Sequence, residues 1–114
     1  MDADSWRLEA AALAPGRTAK FWLRRGGTTV EGFAINHDGA IFAYVNQCPH
    51  AGNRLDGRAD TLVTPDRRHL VCSIHGAVFV PDTGVCVEGP CPGARLERLA
   101  VVRDGEGWLI TWPT

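Results

Sequence analysis

Thirteen glycines and seven prolines cut this 114-residue chain into short apolar runs. No segment keeps a helical period for long, so short strands between turns are the building units that remain. Residues 6–10 alternate and suit a first strand, and Pro15-Gly16-Arg17 then turns the chain. Ala19, Phe21 and Leu23 alternate with Lys20, Trp22 and Arg24, and Gly26-Gly27 closes a hairpin into a strand over 28–36. His37-Asp38-Gly39 is a second hairpin turn, because Asp-Gly tolerates the positive φ such turns demand. Residues 40–46, rich in aromatic and β-branched side chains, form the next strand. Further on, 61–64 and 69–71 read as a hairpin around 65–68, followed by short strands at 77–80 and 85–87 and an irregular loop at 89–93. Strands at 99–103 and 108–112 close the chain. This pattern predicts an all-β sandwich or barrel in one domain, with no repeat or linker.

Two of the predicted loops carry unusual chemistry. One reads Cys48-Pro49-His50-Ala51-Gly52-Asn53 and the other Cys72-Ser73-Ile74-His75-Gly76-Ala77. Each follows the end of a strand, and each offers one sulfur and one imidazole donor. Four such donors are enough to close a metal site. Spacing alone leaves a structural Cys2His2 zinc site open beside an iron site. Gly52 and Gly76 let the backbone approach a bound group closely, and Pro49 stiffens the first loop.

The paired motifs, Cys48-x-His50 and Cys72-x-x-His75-Gly76, resemble those of a Rieske-type [2Fe–2S] ferredoxin. The likeness continues through Val78-Phe79, Asp82-Thr83-Gly84, and Gly89-Pro90-x-Pro92 with Leu96, and so covers roughly residues 46–99. The resemblance implies a Rieske-type fold, in which stacked antiparallel sheets form a sandwich or barrel base for a small cluster-binding subdomain at about 46–80. It implies one [2Fe–2S] cluster per chain, with Cys48 and Cys72 on the buried iron and His50 and His75 on the outer iron through Nδ1. The imidazole Nε2 edges would face solvent or a partner, ringed by Pro49, Ala51, Ile74 and Pro92 as a small apolar docking surface.

The chain departs from the high-potential members of that family. Their loop disulfide is replaced by Asn53 and Ile74. The Ser and Tyr hydroxyls that bond to their cluster or ligand sulfur are replaced by Ala77 and Phe79. Hydrogen bonds to sulfur favour the reduced cluster, so the resemblance implies a low potential here. The gap between the loops, 51–71, is a few residues longer than in small Rieske ferredoxins, with the surplus placed at the hairpin tip, 64–68.

The function expected on these grounds is one-electron transfer rather than catalysis. A flavin-dependent ferredoxin reductase would be the donor, and a terminal oxygenase or another redox protein the acceptor. A Rieske-like small subunit of nitrite reductase is a rival, disfavoured by the presence of all four ligands. A redox-sensing domain is another, but no responsive element is visible. An oxygenase iron would need a further two-His-one-carboxylate triad, which His37 and His69 do not supply in so short a chain. Ser73 has no adjacent base and is not read as a nucleophile. Cys86 is read as a small buried hydrophobe, and Cys91, in the proline loop, as a thiol beside the cluster with a redox pairing to Cys86 as the minority reading. His37 is expected in an exposed turn. His69, and Trp6, Trp22, Trp108 and Trp112, are expected to be surface or packing residues.

A formal net charge of −1 argues against nucleic acid or an anionic membrane as partner. Arg54, Arg58, Arg67 and Arg68 interleave with Asp56, Asp60 and Asp66, as on a mixed solvated face. No apolar run is long enough to cross a membrane, and the acidic start differs from a secretory signal. A cytoplasmic protein with thiols rather than disulfides is expected.

Overall fold

The computed structural model describes residues 4–49, 52–58 and 61–113. Nine strands are present among them: β1 (Ser5–Leu8), β2 (Thr18–Arg25), β3 (Thr28–His37), β4 (Ala40–Val45), β5 (Leu70–Val71), β6 (Val78–Phe79), β7 (Cys86–Glu88), β8 (Arg98–Asp104) and β9 (Gly107–Thr111). The all-β class is therefore correct. The chain divides into two compact units, one made of Met1–Val45 with Arg98–Thr114 and the other of Asn46–Glu97.

The first unit is a six-stranded antiparallel sheet in the order β1-β9-β8-β4-β3-β2. Trp6 of β1 stacks on Phe21 of β2 at 5.9 Å, so the two edge strands meet and the sheet nearly closes on itself. Closure of this kind shields edges that would otherwise offer unpaired backbone groups. The period of two in β2 works as expected, since Phe21 and Leu23 are buried while Trp22 between them is exposed. They join Leu8, Leu13, Ala34, Ile41, Ala43, Val45, Leu99 and Ile110 in the core.

Both predicted tight hairpins are present. Arg25 pairs with Thr28 across Gly26-Gly27, and His37 with Ala40 across Asp38-Gly39, whose φ values are +54° and +93°. The buried Asn36 secures this second turn. Its Oδ1 accepts from the Gly39 N–H at 2.8 Å, and its Nδ2 donates to the Leu13 carbonyl at 2.9 Å. His37 closes β3 and is half-buried rather than exposed, 3.7 Å from Asp38. The first strand ends sooner than its alternation suggests, because the three alanines at Ala10–Ala12 form a 3₁₀ turn.

In the second unit β5, β6 and β7 form a small antiparallel sheet. The hairpin expected over 61–71 is present with little strand: Val63 bridges Leu70, the Thr64 N–H donates to the His69 carbonyl, and Arg67 takes φ +60° at the tip. Thr64 and Asp66 hold that tip with side-chain bonds instead of a longer ladder. Among the described residues no helix is long and apolar enough to cross a membrane.

Candidate metal centre

The two candidate ligand loops have the same backbone design. In the first, the Cys48 N–H donates to the Asn53 carbonyl at 2.6 Å, and the Gly52 N–H to the Cys48 carbonyl at 2.8 Å. In the second, the Cys72 N–H donates to the Ala77 carbonyl at 2.8 Å, and the Gly76 N–H to the Cys72 carbonyl at 2.9 Å. The fourth residue after each cysteine is a glycine with φ +76°, a left-handed conformation that other residues adopt only at a cost. Each loop therefore wraps back over its own cysteine, and both cysteines are buried.

A network absent from the sequence motifs joins the two loops. The Ser73 N–H and hydroxyl both donate to the Leu55 carbonyl, at 2.7 and 2.8 Å, and the Arg58 N–H donates to Ser73 Oγ at 3.0 Å. The buried Asn46, two residues before Cys48, accepts from the Leu55 N–H at 2.9 Å and donates to Asp56 Oδ1 at 3.1 Å. Leu55 itself is fully buried. Ser73 is thus a cross-link between loops, and its place between the second pair of candidate ligands was the one sequence signal for it.

The proline loop packs against the second of these loops. A Cβ at Gly89 would lie 2.7 Å from Ala77 Cα and 2.9 Å from the Gly76 carbonyl oxygen, and Gly89 has φ +95°. Further along the loop, the Cys91 thiol donates to Cys86 Sγ at 3.3 Å. Burial, and after it the bond to Cys86, pushes the Cys91 thiol up to about 12, so it is protonated at neutral pH. Cys86 is buried as expected, and its thiol donates to the Glu88 carbonyl at 3.1 Å.

Of the four candidate ligands, Cys48 and Cys72 are buried and His75 is exposed; His50 lies outside the described residues. Pro49 and Pro92 are exposed and Ile74 is half-buried, while Ala51 also lies outside the described residues. A shallow cleft beside Cys48 is lined by Gln47, Pro49, Gly52, Arg95 and Glu97. Among the described residues no three of His, Cys, Asp or Glu gather around one point. A Rieske cluster asks for only two protein donors per iron, thiolates on one and imidazoles on the other. Buried cysteines in two matched loops beside an exposed histidine fit that donor set.

The family model of the Rieske [2Fe-2S] domain matches residues 10–110, and the chain belongs to that family. Its fold is similar to the terminal oxygenase of carbazole 1,9a-dioxygenase from Novosphingobium sp. KA1, with a TM-score of 0.77 and 16% identity over 99% of this chain. It spans only 31% of that oxygenase chain. It is also similar to the ferredoxin of carbazole 1,9a-dioxygenase from Nocardioides aromaticivorans IC177, with a TM-score of 0.73 and 23% identity over 97% of this chain and 100% of that one. A third similar structure, from a complex of reduced oxygenase and oxidized ferredoxin in carbazole 1,9a-dioxygenase, has a TM-score of 0.73 and 19% identity over 96% and 94% of the two chains. At these identities the likeness is one of fold. No curated protein matches the chain.

Proposed function

We propose that this protein is a one-electron carrier whose single Rieske domain uses Cys48 and Cys72 to hold one iron of a [2Fe–2S] cluster and His50 and His75 to hold the other. The observation that carries the reading is the matched pair of loops, each closed over a buried cysteine by a glycine at φ +76°. When bound, the cluster accepts and gives up one electron without a change in ligands. The chain's own residues do the rest. Leu55 and Ser73 lock the loops together, so little reorganisation accompanies the change of charge. The burial of Cys48 and Cys72 keeps water from the sulfurs, and the exposure of His75 leaves an imidazole edge as the exit for the electron.

The partners that suit this arrangement are a flavin-dependent reductase as donor and a terminal oxygenase as acceptor. Support for the acceptor comes from the similar ferredoxin and oxygenase structures, which belong to carbazole 1,9a-dioxygenase. Pro49, Pro92 and His75 are all exposed, and the prolines would supply a small apolar contact face suited to brief encounters.

Replacing any one ligand tests the assignment. Cys72→Ala and His75→Ala are expected to abolish the visible absorbance of the purified protein and its electron transfer to an acceptor. A His75→Ala protein that keeps native absorbance and full transfer removes His75 from the ligand set.

A further inference from the structure

Outside the two candidate ligand loops the chain carries two further cysteines, Cys86 and Cys91. Cys86 opens β7 and Cys91 lies in the loop that follows, where backbone bonds hold both. The Gly93 N–H donates to the Cys86 carbonyl at 2.9 Å, the Cys86 N–H to the Ala94 carbonyl at 2.8 Å, and the Ala94 N–H to the Cys91 carbonyl at 3.0 Å. The two side chains meet, with the Cys91 S–H donating to Cys86 Sγ at 3.3 Å. Cys86 directs its own proton at the Glu88 carbonyl, at 3.1 Å, so a sulfur lone pair faces Cys91. Cys86 is buried and Cys91 is half-buried, which makes Cys91 the sulfur that a small molecule reaches first.

The same loop bears on the second candidate ligand loop. Gly89, between the two cysteines, sits against Ala77 and the Gly76 carbonyl, and Cys86 pairs with Phe79 of β6. We propose that Cys86 and Cys91 form a reversible disulfide, closed by a small disulfide of the glutathione type, and that the bridge clamps the proline loop against the second candidate ligand loop. The sulfurs need to approach by only about 1.2 Å to bond. In the first step Cys91 gives its proton to solvent and its sulfur attacks the small disulfide, whose S–S bond breaks to release one thiol. In the second, Cys86 gives up its proton and attacks the Cys91 sulfur, and the second small thiol leaves. Two protein thiols are oxidised by two electrons, and one small disulfide is reduced to two thiols that take up two protons. An excess of small thiol reverses both steps. The inference goes beyond the electron-carrier reading and stands on this thiol pair, whatever metal the chain binds.

The test exposes the purified chain to oxidised glutathione at mildly alkaline pH, because the Cys91 thiol is protonated at neutral pH and the thiolate is the attacking form. Remaining thiols are then blocked in denaturant. Cleavage after Glu88 puts the two cysteines on different peptides, which stay joined only through a bridge. The wild type should lose two titratable thiols, yield the joined peptides, and recover both thiols in excess dithiothreitol. Cys86→Ser should instead keep glutathione on Cys91 as a mixed disulfide, and Cys91→Ser should give neither product. Amide exchange over residues 89–94 should slow several-fold in the bridged wild type and not in treated Cys91→Ser. No loss of thiols, glutathione retained on Cys91 of the wild type, or a bridge from Cys91 to Cys48 or Cys72 each overturns the proposal. A Cys86–Cys91 bridge with unchanged exchange over 89–94 overturns the clamp. The wild-type peptide map and exchange decide the matter even if a serine variant fails to fold. A chain that forms the bridge but binds no iron defeats the carrier reading and supports this one.

Discussion

Ala77 and Phe79 are fully buried beside the second ligand loop and carry no group that can donate to sulfur. A reduced cluster held there would lack the two hydroxyl partners of the high-potential members and would be correspondingly harder to form. The reduction potential is therefore expected near the lower end of the Rieske range, at about −150 mV. Voltammetry giving a clearly positive value would contradict this. The candidate ligands were legible in the sequence because each pair is local, with one or two residues between Cys and His. The side chains that hold the loops together were not. Asn46 bonds to Leu55 and Asp56, and Ser73 to Leu55, across 9 to 18 positions that no local motif records.

The turns were the most legible elements, because their chemistry is set by one or two residues. Gly26-Gly27 and Asp38-Gly39 turn where the sequence places them. Segments whose shape depends on side-chain bonding were harder to read. The 61–71 hairpin keeps only a bridge at Val63 and Leu70, because Thr64 and Asp66 satisfy backbone groups that a ladder would otherwise use. Asp66 is held below the usual carboxylate range, chiefly by the Thr64 hydroxyl and then by the Arg68 N–H. The proline loop is the element most sensitive to change. Gly89→Ala would combine a left-handed backbone with a Cβ pressed onto Ala77, and should cost about 1–3 kcal/mol. Urea denaturation should show that loss, and the ratio of visible to ultraviolet absorbance should fall as the loop moves away from Ala77. Wild-type stability together with a wild-type ratio would show that the loop does not press on the second ligand loop.

At the scale of the whole chain, the molecule separates support from chemistry. A nearly closed six-stranded sheet buries one core in the first unit, and the second unit, Asn46–Glu97, holds all the candidate ligands and the loops that cover them. The β class followed from the spacing of glycines and prolines, and the family from motifs clustered in that second unit. The order of strands in the sheet did not follow, because β1 pairs with β9 across most of the chain's length and β4 with β8 across about half of it. The two matched loops are proposed to hold an iron pair rather than a single structural ion. Iron, zinc and acid-labile sulfide analysis of the purified protein, combined with EPR before and after one-electron reduction, tests it most directly. Two irons and two sulfides per chain, with an EPR signal that appears only on reduction, are the predicted result. One zinc per chain, no colour and no signal would contradict it.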